Sequence, residues 1–217
     1  MKDLKAIRGR YYLERIIAEG EHEQQDFKYA ISDARKIARS LSAFANHSGG
    51  RLLVGVRDNG SIAGVRNEED IYLLEQAAEM YCEPPQTIRV QPFIAEGGAI
   101  VVRAEIDPSP VRPVKVKEEK GVMKAYYRVA DENISAHPLL VRSWVFASSS
   151  RSLQIGRTEN TILDTLRDLG GETEPERLLA SVMLSRSVAE DALVALCGGG
   201  VLEITHCKGR FVVGFAE

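Results

Sequence analysis

Helical and extended rhythms of apolar residues alternate along most of this chain. Leu4, Ile7, Tyr11, Ile16 and Ile17 predict an amphipathic helix over 2–18, which Gly20 can end. A strand is expected from about Gln24. Ala34, Ile37, Ala38, Leu41, Phe44 and Ala45 then recur at the i, i+3, i+4, i+7 spacing of a buried helical face, with Ser32 or Asp33 as cap. Arg35, Lys36 and Arg39 lie on its opposite side, and Gly49 and Gly50 allow the stop. The run 52–56 is apolar throughout, as in a strand covered on both faces. Asp58-Asn59-Gly60 predicts a type I′ hairpin turn leading to a partner strand at 62–65. Residues 70–82 read as a helix that Pro84-Pro85 cannot continue. Two strands around Gly97-Gly98 cover 87–94 and 99–106, two more cover 114–116 and 123–129, and a short helix covers 139–146 with Trp144.

Residues 148–152 are polar and repetitive, so a linker is placed at 148–156 between a first domain, 1–147, and a second, 157–217. In the second, helical patterns at Ile162/Leu163/Leu166, 175–182 and 187–197 precede strands at 201–205 and 210–215. Three helices followed by a β-hairpin is the order of a winged helix.

Composition narrows the function classes. The 217 residues are 44% hydrophobic and carry a formal net charge of −3, which lacks the bias of a general nucleic-acid coat protein. Cys82, Cys197 and Cys207 show neither paired spacing nor a zinc pattern, and small buried or neutral thiols in a reducing cytoplasm are expected. The charged N-terminus lacks a signal-peptide core, and no apolar run approaches the ~18 residues that span a bilayer.

Four stretches stand in a characteristic order: Glu21-x-Glu23-x-x-Asp26-Phe27-Lys28; Ala43-Phe44-Ala45-Asn46-His47-Ser48-Gly49-Gly50; the segment from Leu53 through Gly55-Val56-Arg57-Asp58-Asn59-Gly60 to Val65; and Ala125-Tyr126-Tyr127-Arg128-Val129 with Ala130 to Asn133. Together they resemble the AlbA_2 domain, the core shared by Schlafen-type proteins and many bacterial regulators. The first is similar to the family's E-S-x-x-x-E-F-K, with Asp26 in place of the second Glu. The resemblance implies an α/β (α+β) fold, a mixed sheet with helices, followed here by the small winged-helix-like domain. It implies DNA or ATP binding in a transcriptional regulator. Some Schlafen relatives are metal-dependent nucleases of structured RNA, and the resemblance carries their acidic triad onto Glu21, Asp26 and Asp58. Such a triad would hold Mg²⁺ or Mn²⁺ and activate water.

The residues themselves add support and objections. Asp26 and Lys28 lie two apart on a strand and share a face, an acid beside a cation. Against this, an Asp before Asn-Gly commonly bonds turn backbone, Glu21 sits near a helix end, and Asp is one methylene shorter than Glu. For ATP, neither a GxxxxGK[ST] loop nor a GxGxxG is present, and the glycines read as turn geometry. Arg112, Lys115, Lys117, Lys120, Lys124 and Arg128 cluster in sequence, opposed by Glu118 and Glu119. Converging with Lys28, Arg35, Lys36 and Arg39, they would form a phosphate-binding face, with Tyr126 or Tyr127 to stack. In the second domain Ser185-Arg186-Ser187 would open the recognition helix, and Lys208 and Arg210 would sit on the wing. Residues 155–217 hold six basic residues against ten acids, which favours dimerisation or protein contact over DNA reading there. The expected protein is therefore a cytoplasmic, non-enzymatic nucleic-acid binder, for DNA or RNA, with no cofactor fixed. The alternatives are a Mg²⁺ or Mn²⁺ nuclease using Glu21, Asp26 and Asp58, with Lys28 stabilising charge, and a protein-interaction module.

Overall fold

The computed structural model describes residues 5–65 and 69–216. The chain divides into two compact units, one ending at Ser135 and the other beginning at Ala136. That division falls before the 148–156 stretch expected as a linker. The α/β class expected from the sequence is borne out.

The first unit runs β1 (Ile7–Arg8), α1 (Arg10–Ala18), β2 (Gln25–Lys28), α2 (Ala34–Ala45), β3 (Gly50–Val54), α3 (Glu69–Gln76), β4 (Cys82–Glu83), β5 (Arg89–Ile94), β6 (Ile100–Ile106), β7 (Lys115–Lys117), β8 (Met123–Val129) and β9 (Glu132–Ser135). A mixed five-stranded sheet has the order β1-β5-β6-β3-β2, with β1/β5 and β2/β3 parallel. A second, antiparallel sheet has the order β4-β7-β8-β9.

The alternation of side chains along each strand sorts the core of the first sheet. Phe27, Leu53 and Val101 point to one face and pack with Leu13 and Ile16 of α1. Leu52, Val54, Val102, Ala104 and Ile106 point to the other and pack with Ile37, Leu41 and Phe44 of α2. Val114, Val116 and Tyr126 of the second sheet join that same cluster, so α2 lies between the two sheets. A helix covered on both sides needs its polar groups satisfied inside the protein. Ser42 donates to the Val114 carbonyl at 2.8 Å and accepts from the Tyr126 amide at 3.2 Å. Asn46, at the end of α2, donates to the carbonyls of Val114 (2.8 Å) and Tyr126 (3.0 Å) and accepts from the Val114 amide (2.7 Å).

Several elements differ from the sequence pattern. The helix expected over 2–18 starts at Arg10; Ile7 and Arg8 instead pair with Phe93 and Ile94, and residues 2–4 of that prediction lie outside the described residues. Gly9 makes the change of direction possible, because a Cβ there would sit 2.3 Å from Phe93 Cδ1. The Asn59-Gly60 turn is not type I′: only Gly60 has positive φ, and the bonds Gly60 N–H to Arg57 O and Arg57 N–H to Ser61 O define a three-residue loop. The strand expected at 62–65 shrinks to a single bridge between Val56 and Ile62. The helix expected over 70–82 is α-helical to Gln76 and continues as a π turn over Ala77–Tyr81. The predicted cap is Asp33, whose carboxylate accepts from the Arg35 amide at 2.8 Å.

The second unit runs α4 (Pro138–Ala147), α5 (Arg157–Asp168), β10 (Glu172–Thr173), α6 (Pro175–Ser181), α7 (Arg186–Gly198), β11 (Leu202–Cys207) and β12 (Arg210–Phe215). Its three strands form an antiparallel sheet in the order β10-β12-β11. Leu139, Ile162, Leu166, Leu178, Leu193, Leu196 and Val213 are buried within it. The helix at 138–147 packs against α7 so closely that a Cβ on Gly198 would lie 2.6 Å from Phe146 Cδ1. Arg142 of α4 also bridges to Glu190 (2.8 Å) and Asp191 (2.5 Å) of α7. Among the described residues no helix is long and apolar enough to cross a membrane.

Replacing Asn46 by Ala strands the Val114 amide and removes the donor from two buried carbonyls. Urea denaturation of the Asn46→Ala variant is expected to show a loss on the order of 3 kcal/mol, against a few tenths for an exposed alanine substitution.

Candidate nucleic-acid interface

The strand alternation that buries Phe27 against α1 turns Asp26 and Lys28 toward α2. Asp26 is almost fully buried there. Its Oδ2 meets the Lys28 ammonium at 2.7 Å and accepts from the Ser40 hydroxyl at 3.3 Å. Its Oδ1 lies 3.9 Å from Arg128 Nη2, an ion pair at long range. Arg128 is itself 1% exposed. It donates to Asn133 Oδ1 (2.8 Å) and to the carbonyls of His22 and Gln25 (both 3.1 Å), and its guanidinium stands 4.9 Å from the Phe44 ring centroid. Its Nε has no acceptor among the described residues. Burial lowers the Arg128 pKa from its ordinary value, but an arginine starts so high that it keeps its charge.

Glu21 completes the cluster from the loop before β2. Its Oε1 accepts from the Phe27 amide at 2.8 Å. Burial first, and then hydrogen bonding with Asp26, raise the Glu21 pKa above its ordinary value; the Phe27 amide and Lys28 oppose that shift. Glu21, Asp26 and Lys28 are thus brought together as expected from the sequence. Asp58 is not: it sits exposed in the turn after β3, and among the described residues no three acids, histidines or cysteines gather as a metal-binding set. The acids that do meet are already engaged by an ammonium and a backbone amide, so this donor set does not fit the three-carboxylate metal centre that the resemblance implied.

The expected basic face is dispersed. Lys115 and Lys117 fall on one face of the second sheet, and Lys124 and Arg128, by alternation, on the other. Arg39 makes a two-pronged pair with Glu118 (2.8 and 2.7 Å), and Arg35 meets Glu119 at 3.3 Å. Lys117 pairs with Glu83 at 3.4 Å, and Arg112 donates to the Asn46 carbonyl at 3.2 Å. Lys36 and Lys124 are exposed. Arg128 is buried, because the sheet packs it against β2 and α2 and gives its charge partners there. Tyr126, expected to stack on bases, is also buried and donates to Glu118 at 2.5 Å. Burial, then that bond, push its pKa up to about 12, while Arg39 holds Glu118 below its ordinary value. Tyr127 is half-buried, with His47 at 5.3 Å in an edge contact. Among the cysteines, burial pushes Cys82 and Cys197 to about 12, whereas Cys207 is exposed rather than buried.

Sequence reasoning missed a pair at the carboxyl ends of the parallel strands β2 and β3. Tyr29 follows Lys28 directly, and the Arg57 guanidinium lies 4.7 Å from its ring centroid. Arg57 lies within a motif stretch that gives it no role, and Tyr29 carries no signal; only the parallel pairing of β2 with β3 brings them together.

The first unit is thus a layered α/β fold with a charged cluster on its edge strand and a cation–aromatic pair at its strand ends. The chain belongs to the Schlafen, AlbA_2 family, whose model matches residues 21–137. Among solved structures it is similar to the DIP2311 protein from Corynebacterium diphtheriae (TM-score 0.47, 18% identity), a match that covers 93% of this chain and 37% of that one. It is also similar to the N-terminal domain of a RecG-related protein from Nitrosomonas europaea (TM-score 0.41, 19% identity), covering 60% of this chain and 92% of that one. The chain thus spans little more than a third of the DIP2311 protein. No curated protein matches it.

The raised Glu21 pKa has a signed consequence. A carboxyl whose folded pKa is raised contributes stability that is fully present below its unfolded value and is lost as pH rises through the folded one. The window therefore opens near the ordinary value of 4.5 and extends upward. Glu21→Gln, which keeps the acceptor for Phe27 and abolishes the charge, is expected to raise the urea midpoint at pH 7 more than at pH 4.

Proposed function

We propose that this chain is a nucleic-acid-binding protein of the AlbA_2 type and that the first unit makes the contact. The observation that carries this is the Glu21–Asp26–Lys28–Arg128 cluster. Burying charges in this way contributes little net stability compared with apolar packing, so a buried cluster at a strand edge is better accounted for by a ligand than by the fold. Lys28 is its outward member, with a third of its side chain exposed, and it serves as the phosphate contact. Family membership supports the same reading. A regulatory role, in DNA or RNA binding, follows from the family pattern rather than from this geometry.

The second unit takes a supporting role. From α5 onward, its order of helix, strand, two helices and two strands supports a winged-helix reading, with α7 in the recognition position and Lys208 and Arg210 on the hairpin. Its acidic balance and the pairing of Arg210 with Glu174 at 2.6 Å and of Arg186 with Glu190 at 2.6 Å favour protein contact, including self-association, over phosphate binding.

Fluorescence anisotropy with labelled DNA and RNA oligonucleotides at several salt concentrations tests this. Lys28→Ala is expected to weaken binding whatever the sequence and to reduce the salt slope by about 0.7 to 0.9. Lys208→Ala with Arg210→Ala is expected to leave affinity within about twofold. Metal-dependent cleavage that vanishes in Asp26→Ala would contradict this reading and make the protein a nuclease.

A further inference from the structure

Tyr29 and Arg57 have no part in the buried cluster, yet both are built into rigid surroundings. Tyr29 is 39% exposed at the end of β2. The Gly55 amide donates to the Lys28 carbonyl at 2.8 Å and so ties the end of β3 beside it. Gly55 has φ +94°, and a Cβ there would lie 2.8 Å from the Gly64 carbonyl carbon, so only glycine fits at this point. Beyond it, Arg57 is pinned by its amide bond to Ser61 (3.0 Å) and by its carbonyl, which accepts from Gly60 (2.8 Å). Asn59 Oδ1 accepts from the Ser61 amide at 3.0 Å and stiffens the same loop.

The resulting pair differs from two other arginine–tyrosine contacts of this unit. Arg39 lies 5.8 Å from the ring of buried Tyr126 and is paired with Glu118; Arg35 lies 5.4 Å from Tyr81 and is paired with Glu119. Arg57 stands 4.7 Å from Tyr29, is exposed, and among the described residues makes no ion pair. Asp58, exposed in the same turn, opposes an anion there.

We propose that Tyr29 and Arg57 form a stacking platform for an unpaired nucleobase, so that the site selects single-stranded over duplex nucleic acid. This rests on the nucleic-acid reading given above and names its substrate class. The chemistry is direct. A base inside a duplex has both faces covered by its neighbours, whereas an unpaired base offers a face to an aromatic ring or a guanidinium plane. Such contacts read the presence of a base rather than its identity.

The test is anisotropy titration of the full chain with strands about 12 nucleotides long, a length within the usual single-strand site sizes. The probes are single-stranded DNA, single-stranded RNA, the blunt duplex, and a single strand of the same length made wholly of abasic sites. The abasic strand keeps every phosphate and lacks every stacking face. Wild type is expected to favour the intact strand over the abasic one by about tenfold. Tyr29→Phe is expected to keep that preference; Tyr29→Leu and Arg57→Ala are expected to lose it. Circular dichroism and urea midpoints confirm that each variant is folded. The DNA and RNA arms show which strand supplies the base. Equal affinity of wild type for intact and abasic strands, or a full preference in Tyr29→Leu, overturns the platform and leaves phosphate-led binding standing. Free AMP competing as well as the strand overturns it in favour of a mononucleotide site. Binding to none of the probes overturns both readings.

Discussion

The first unit depends on a single helix placed between two sheets. Nine of the twelve residues of α2 are buried, among them Ser40 and Ser42. The cover on one side comes from β3 and β6 and on the other from β7 and β8. A helix in that position cannot leave polar groups to water, and each unpaired one would cost about 1–3 kcal/mol. Ser40, Ser42 and Asn46 are the answer. Ser42 and Asn46 hold the backbone of β7 and β8, and Ser40 holds Asp26 and Asn133. The second sheet is thereby fixed by hydrogen bonds to the end of α2 as well as by apolar contact.

The same helix sets the electrostatics of the candidate site. It closes the space into which Asp26, Lys28 and Arg128 point, and so desolvates Asp26 and Arg128 while Lys28 keeps a third of its side chain exposed. Removing one member of such a group costs about 3–5 kcal/mol, whereas exchanging the whole group for apolar residues costs little or nothing. The magnitudes therefore argue against stability as the reason for the cluster. Surface pairs such as Arg10–Glu14 and Arg167–Asp164 are of another kind, exposed and readily screened by salt.

Much of the fold was legible because its long elements have a strong period. The apolar residues of α2, the continuous run of β3 and the β5–β6 hairpin are of this sort. The two-residue strands β1, β4 and β10 were not legible, since a pairing so short leaves no period to read. Of the site, Asp26 and Lys28 could be paired from their spacing on a strand. The burial of Arg128 could not, because an arginine is by default a surface residue, and only the packing of β8 on α2 takes it inside. The turn at Asn59-Gly60 was legible as a turn but not as to type, and that type is what aims Arg57. Tyr29 and Arg57 meet through parallel pairing, which no local pattern encodes.

The most direct test of the central claim, that the nucleic-acid face lies at the carboxyl ends of β2 and β3, is a titration of the ¹⁵N-labelled chain with a single-stranded oligonucleotide, followed by backbone amide shifts. The account predicts the largest shifts at Lys28, Tyr29 and the loop from Val56 to Ser61. Shifts confined to α7 and the β11–β12 hairpin would place binding in the second unit and contradict it.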